Sequence, residues 1–218
     1  MFLACCPSCG ERSIERLVAD SMMVCDCGYR HPIALRPLLL VTGASGTGKT
    51  TIAMRLGGTF PGAVVLDQDI LWMPEMDTPE DNWRRFRSLW LRFAVNIAQN
   101  GHPLLLFGSA DPDQYERLPE RRYVGSIHTL ALVCDDDELR RRLTARPKCR
   151  GSGNEGFITS MCQFNRSLHA LAARQPERVS LLDTTRDTPD VSAAHVATWA
   201  RTLLERNMGA RAGPGQQQ

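Results

Sequence analysis

The chain has 218 residues, 43% hydrophobic and 23% charged, with a formal net charge of +2. That suits one α/β domain plus a small appendage, and it gives no charge-based argument for a nucleic-acid binder. No apolar run approaches the roughly 20 residues needed to cross a bilayer. Met1-Phe2-Leu3-Ala4-Cys5-Cys6 lacks a basic region followed by a long apolar stretch, so no secretory signal is expected and a cytoplasmic location is.

Three units are expected in chain order: a cysteine-rich segment over 1–33, an α/β unit over 37–206, and a disordered tail over 207–218 that ends Gly-Pro-Gly-Gln-Gln-Gln. Five of the eight cysteines lie within residues 5–27. In a chain neither short nor evidently secreted, that crowding fits a metal cluster better than a disulfide framework. Cys6-Pro-Ser-Cys9-Gly and Cys25-Asp-Cys27-Gly read as two knuckles, the second one residue shorter than the common form. Between them, Ile14–Val18 and Met22–Val24 read as two ribbon strands. The expectation is a zinc ribbon with Zn²⁺ on Cys6, Cys9, Cys25 and Cys27, Cys5 being an alternative to Cys6. Four thiolates leave no open position, so the metal would be structural. Such a ribbon can dock on the main unit, bind a protein partner or touch nucleic acid, and the residues do not choose.

In the main unit, continuous apolar runs at 37–42, 63–67, 103–107, 127–133 and 178–182 read as strands covered on both faces. Helical patterns fall at 49–57, 79–100, 135–145, 155–174 and 189–206. Strict alternation predicts a three-layer α/β sandwich around a five-stranded, mostly parallel sheet. Ligands of such sheets sit at the carboxyl ends of the strands.

The first strand runs into Gly43-Ala44-Ser45-Gly46-Thr47-Gly48-Lys49-Thr50, followed by Thr51. This is the full G-x-x-x-x-G-K-[ST] pattern in its proper strand-to-helix context. The glycines let successive N–H groups turn inward on phosphate oxygens, and the following helix adds its positive end. Lys49 is expected to reach the β- and γ-phosphates of ATP, and the Thr50 hydroxyl to serve Mg²⁺.

The second strand ends Val64-Val65-Leu66-Asp67-Gln68-Asp69. Asp67 is expected to hold Mg²⁺. Asp69 is expected to orient an acceptor hydroxyl and take its proton. Helix capping is the plainer use of both carboxylates. Residues 70–90 are expected to form the acceptor side, with Trp72 stacking on the acceptor and Arg87, together with Arg84, meeting an anionic one. Trp83 and Trp90, seven apart on a helix, read as core.

A P-loop after strand one and Asp67-Gln68-Asp69 after strand two resemble the shikimate kinase, gluconate kinase and nucleoside/nucleotide kinase group of P-loop kinases. Strand three, Leu104-Leu105-Leu106-Phe107, leads into Gly108-Ser109 with no acidic residue, which favours that kinase branch. The resemblance spans roughly 37–206. It implies transfer of the γ-phosphoryl group of ATP to a hydroxyl or phosphate of a small molecule, a nucleoside or nucleotide foremost. The alternatives are an antibiotic or metabolite hydroxyl, a nucleic-acid end, or an ATP-gated adaptor acting through the ribbon. Family kinases carry an R-x-x-R-x-x-x-R lid after the fourth strand's helix. Here that place holds Arg142, Arg146 and Arg150 at four-residue intervals, Arg146 and Arg150 flanking the stop at Pro147. The resemblance makes these two the clamps on the transferring group, and makes Thr184 to Asp187 the rim of the base site.

Overall fold

The computed structural model describes residues 5–13, 15–147 and 153–209. The amino-terminal segment is a three-stranded antiparallel sheet of β1 (Leu17–Ala19), β2 (Met22–Val24) and β3 (Arg30–Pro32), in that order. The first two strands are joined by Asp20 and Ser21, with φ of 51° and 57°, the left-handed pair that a tight hairpin requires. Two strands are expected from the sequence. The third, beyond the Cys25–Cys27 knuckle, pairs with β2 through Arg30 and His31 and carries no apolar alternation to announce it. Ile14, placed at the start of the first expected strand, lies outside the described residues.

The main unit runs β4 (Leu38–Gly43), α1 (Lys49–Leu56), β5 (Val64–Asp67), α2 (Arg84–Gln99), β6 (Leu104–Phe107), α3 (Asp113–Glu116), β7 (Ile127–Val133), α4 (Asp136–Thr144), α5 (Glu155–Arg174), β8 (Val179–Asp183) and α6 (Pro189–Gly209). The five long strands are all parallel, in the order β5-β6-β4-β7-β8. The two-residue period of a strand divides the core cleanly. Leu38, Leu40, Leu104 and Leu106 join the cluster with Phe86, Trp90 and Leu91 of α2. Leu39, Val41, Leu105 and Phe107 join Ile52 of α1 and Val196 of α6 on the other face. Both faces are buried, which is why the central strands are apolar without alternation.

Three expectations change. The helix expected over 79–100 starts at Arg84; before it the chain turns through short 3-10 segments at Gln68–Leu71, Pro74–Met76 and Pro79–Asp81. Asn82 and Trp83 then both have left-handed backbones, φ 58° and 54°, which no α-helix can accommodate. Between β6 and β7 the chain forms α3 and a 3-10 turn at Pro119–Tyr123, too short for periodicity to reveal. At the other end α6 continues to Gly209, into the expected tail; positions 210–218 lie outside the described residues. Among the described residues no helix is long and apolar enough to cross a membrane.

The ribbon shares the core of the main unit. Met23 and Ile33 belong to the cluster of Phe86 and Trp90. The Tyr123 hydroxyl accepts from Arg16 N–H at 2.9 Å and donates to Arg16 C=O at 3.3 Å. The Gln99 amide clasps Ala34 in the same two-way manner, at 3.0 and 3.2 Å.

Candidate active site

The loop between β4 and α1 has the curl that its sequence requires. Gly46 and Gly48 sit at φ +97° and +96°, the region glycine enters without penalty. A Cβ at Gly43 would come within 2.6 Å of both Leu132 O and Thr47 Oγ1. The Thr47 hydroxyl is buried and donates to Ala44 O at 2.9 Å. The first turn of α1 contains no acidic residue, so its positive end is left to favour an anion. Lys49 Nζ donates to Gly43 O and Ala44 O at 2.7 and 2.9 Å, folded over the loop in which phosphates would lie. Burial pulls its pKa down to about 8. The charges of Asp69 and Asp67 oppose that pull, while that of Arg146 adds to it. Groups from the β5 exit and from beyond α4 therefore act on the ammonium that α1 carries. Thr50 is exposed one residue further on.

Asp67 ends β5. Its Oδ1 accepts from Asp69 N–H at 3.0 Å and caps the 3-10 turn, as capping predicts, but Oδ2 is buried with no hydrogen-bond partner. A buried, unpartnered carboxylate oxygen is costly unless a cation meets it. The residues thus fit Mg²⁺, with Asp67 Oδ2 and the Thr50 hydroxyl as the groups that would hold it. Asp69 is exposed.

Beside the P-loop lies a cleft of about 420 Å³, walled by Gly46 and Gly48, by Thr51 of α1, by Glu138 and Arg142 of α4, and by Thr185 after β8. Arg142 departs from the lid role. Its guanidinium donates to Glu138 Oε1 (2.7 Å), Thr184 O (2.7 Å) and Thr185 O (3.1 Å), which builds it into the cleft wall. Arg141 forms a fork on Glu138 at 2.6 Å on both arms, and together these arginines hold the Glu138 carboxyl down at about 2. Sequence reasoning missed Glu138; its i,i+4 spacing to Arg142 was the signal. Arg146 is half-buried within reach of the Lys49 charge. Arg150, the other expected clamp, lies outside the described residues. Arg166 pairs with Asp136 at 2.7 Å across exposed surface.

On the acceptor side Trp72 is 44% exposed and meets Phe86 edge-on, ring centroids 5.1 Å apart. Trp90 is core, as expected; Trp83 is half-buried and packs against the same cluster, its Nε1 donating to Asp77 Oδ1 at 3.1 Å. Arg87 needs correction. Expected to meet an anionic acceptor, it is 5% exposed and donates to Ser109 O (2.8 Å), Gln68 Oε1 (3.1 Å) and Gln114 Oε1 (3.2 Å). A guanidinium so engaged braces protein. Gln68 and Gln114, its partners, carried no signal in the sequence.

Residues 39–157, more than half the chain, match the AAA domain family. The chain belongs to that family. Among solved structures, a sugar kinase from Janibacter sp. HTCC2649 is similar at 22% identity and TM-score 0.59, over 77% of this chain and 95% of that one. A gluconokinase from Sinorhizobium meliloti 1021 is similar at 15% identity and TM-score 0.58, over 81% and 97%. These are likenesses of fold: the AAA domain here has a kinase-like P-loop architecture. No curated protein matches the sequence.

The cysteine knuckles lie outside the part matched to the AAA domain. The sulfurs of Cys6, Cys9, Cys25 and Cys27 all lie within 4.8 Å of one another. Cys6 and Cys27 sulfurs are 3.8 Å apart, and those of Cys9 and Cys25 3.7 Å. Sulfurs about 2.3 Å from a tetrahedral Zn²⁺ would be ~3.8 Å apart, so the donor set fits that ion. Cys5 stands apart, its Sγ donating to Gly10 O at 3.4 Å.

Proposed function

We propose that this AAA-domain protein is a phosphotransferase that moves the γ-phosphoryl group of ATP to a hydroxyl of a small molecule. The observation that carries the reading is the convergence on Lys49: its ammonium lies over the P-loop carbonyls and feels Asp67, Asp69 and Arg146 together. Gly43 through Thr51 would cradle the phosphates. Mg²⁺, held by Thr50 and Asp67, would supply charge neutralisation of the β- and γ-oxygens. Asp69 orients the acceptor hydroxyl and takes its proton as the oxygen bonds to γ-phosphorus and the bond to ADP breaks. Lys49, with Arg146 and Arg150, stabilises the charge on the group in transit. Trp72 supplies an aromatic wall to the acceptor.

The neighbours described as a sugar kinase and a gluconokinase support a hydroxylated small molecule as acceptor; a nucleoside or nucleotide remains within that class and is the acceptor the sequence favours. We divide the chain into a ribbon over 1–33, with structural Zn²⁺ on Cys6, Cys9, Cys25 and Cys27, and a phosphotransferase unit over 37–206. The two-way clasps at Tyr123 and Gln99 support the ribbon as a docked brace. The test is ADP release from ATP·Mg²⁺ against a panel of nucleosides, nucleoside monophosphates, sugars, sugar acids and hydroxylated antibiotics. A member of the panel should raise release well above hydrolysis. Tight ATP binding with no stimulation by any member would favour the nucleotide-gated adaptor instead.

A further inference from the structure

A polar network behind the Asp67-Gln68-Asp69 turn has no part in the chemistry above. Gln68 stands between the two carboxylates and is 4% exposed. Its side chain crosses directly over Gly108, where a Cβ would lie 1.8 Å from Gln68 Cδ. Gln68 Nε2 donates to Ser109 O at 3.4 Å, and Oε1 accepts from Arg87 Nη1 at 3.1 Å. Arg87 reaches Ser109 O as well, and its guanidinium carbon lies 5.5 and 5.8 Å from the ring centroids of Phe86 and Tyr115. The Ser109 hydroxyl closes the chain by donating to Gly43 O at 2.9 Å. That oxygen also accepts from Lys49. Gln114, the third partner of Arg87, donates to Asn82 Oδ1 at 2.6 Å and so ties in the left-handed entry of α2.

A buried guanidinium is a poor source of stability, because its desolvation offsets most of what its partners return. Its planar fork does fix distances and directions. Gln68 is the one buried residue of the 3-10 turn, so it sets how the turn seats against the end of β6. Asp67 on one side carries the unpartnered buried oxygen, and Asp69 is capped by Asp67. The bare Gly108 is the opening through which the anchor passes.

We propose that Gln68 and Arg87 are positioning residues: they hold the β5-exit turn so that Asp67 Oδ2 faces the P-loop cation position. The inference rests on the reading of Asp67 as a metal ligand. The probe is Mn²⁺ with ATP, followed by electron paramagnetic resonance for the metal and by calorimetry for ATP with and without metal. Asp67→Asn tests the underlying reading; unchanged Mn²⁺ affinity there removes Asp67 from the metal site altogether. With that reading intact, Gln68→Leu and Arg87→Lys should each weaken Mn²⁺ in the nucleotide complex by about tenfold, the usual cost of losing a partner that orients a ligand. Metal-free ATP affinity should stay within about twofold. The double variant should lose little more than either single, since both act on one seat. Gly108→Ala, which evicts Gln68 without altering a polar group, should copy Gln68→Leu and guards against a folding defect peculiar to either polar variant. Wild-type Mn²⁺ affinity in Gln68→Leu and Arg87→Lys would overturn the proposal. Equal losses of metal-free ATP and Mn²⁺ affinity would overturn it too, since they would mark general damage to the P-loop.

Discussion

The P-loop and the segment from Ile70 to Trp83 adjoin the same pair of carboxylates, yet they take their shapes from different sources. From Gly43 to Thr51 the curl itself is made locally, by glycines at φ near +97°, a threonine bonding three residues back and a lysine folded onto its own loop, while Ser109 and Thr184 only brace its carbonyls from outside. From 70 to 83 short local turns, such as Thr78 on Asp81 and Trp83 on Asp77, are set in place by partners from elsewhere. Phe86 packs edge-on against Trp72, Gln114 holds Asn82, and Arg87 reaches across to Ser109 beyond the end of β6. A local device can be read from spacing and altered in isolation. A device assembled from distant parts is legible only once folded, and its members should fail together.

The largest separation between the two sides is expected at their junction. Asp69→Asn should lower phosphoryl transfer by about 10³-fold, the scale of a lost general base, with ATP affinity unchanged in calorimetry. Equal loss of both would move Asp69 to the nucleotide side. Lys49→Ala should lower transfer by about 10²-fold and weaken ATP as well, because its ammonium belongs to the local device; steady-state kinetics with a direct ATP titration read both. Chelating the Zn²⁺ proposed for the cysteine knuckles should lower the melting temperature by about 10 °C, as Met23 and Ile33 loosen from the core of α2. A melting curve unmoved by a strong chelator, with metal removal verified by emission spectrometry, would detach the ribbon from that core.

Two smaller effects sharpen the contrast. In the free protein Lys49 has its pKa lowered to about 8. Arriving phosphates favour the ammonium and raise that pKa. At pH 8 ATP binding should therefore take up about half a proton, read from calorimetry in buffers of different ionisation enthalpy. Uptake should fade at pH 6, where Lys49 is already charged, and vanish in Lys49→Met. The same depression makes stability of the ligand-free protein rise with pH between about 8 and 10.5, since the unfolded chain holds the extra proton across that window. Smallest of all, Tyr123→Phe should cost about 1 kcal/mol, or ~3 °C, by removing the clasp on Arg16.

The order of strands and helices, the P-loop and the cysteine knuckles were open to sequence reading for one reason. Each is written in short-range periodicity or spacing, from the unbroken apolar run Leu38–Val41 to Cys6-x-x-Cys9. Arg87 shows the limit. Three residues from Arg84 on a basic helix face, it looks like an open cation, and only the fold brings Gln68, Ser109 and Gln114 to it. Arg142 misled in the same way: spacing set it in a lid, whereas the carbonyls after β8 hold it in a wall. The helix start at 79 failed because Asn82 and Trp83 both adopt left-handed backbones, which asparagine tolerates but the tryptophan side chain does not advertise.

The most direct test follows the γ-phosphoryl group itself. ATP labelled on its γ-phosphorus would be incubated with protein, Mg²⁺ and the hydroxyl-acceptor panel, and the label separated into ATP, inorganic phosphate and organic products. A phosphotransferase should carry the label into one organic product with wild-type protein and leave it in ATP with Asp69→Asn. Label that reaches inorganic phosphate alone, equally in both proteins and with every acceptor, would contradict phosphoryl transfer as the work of this site.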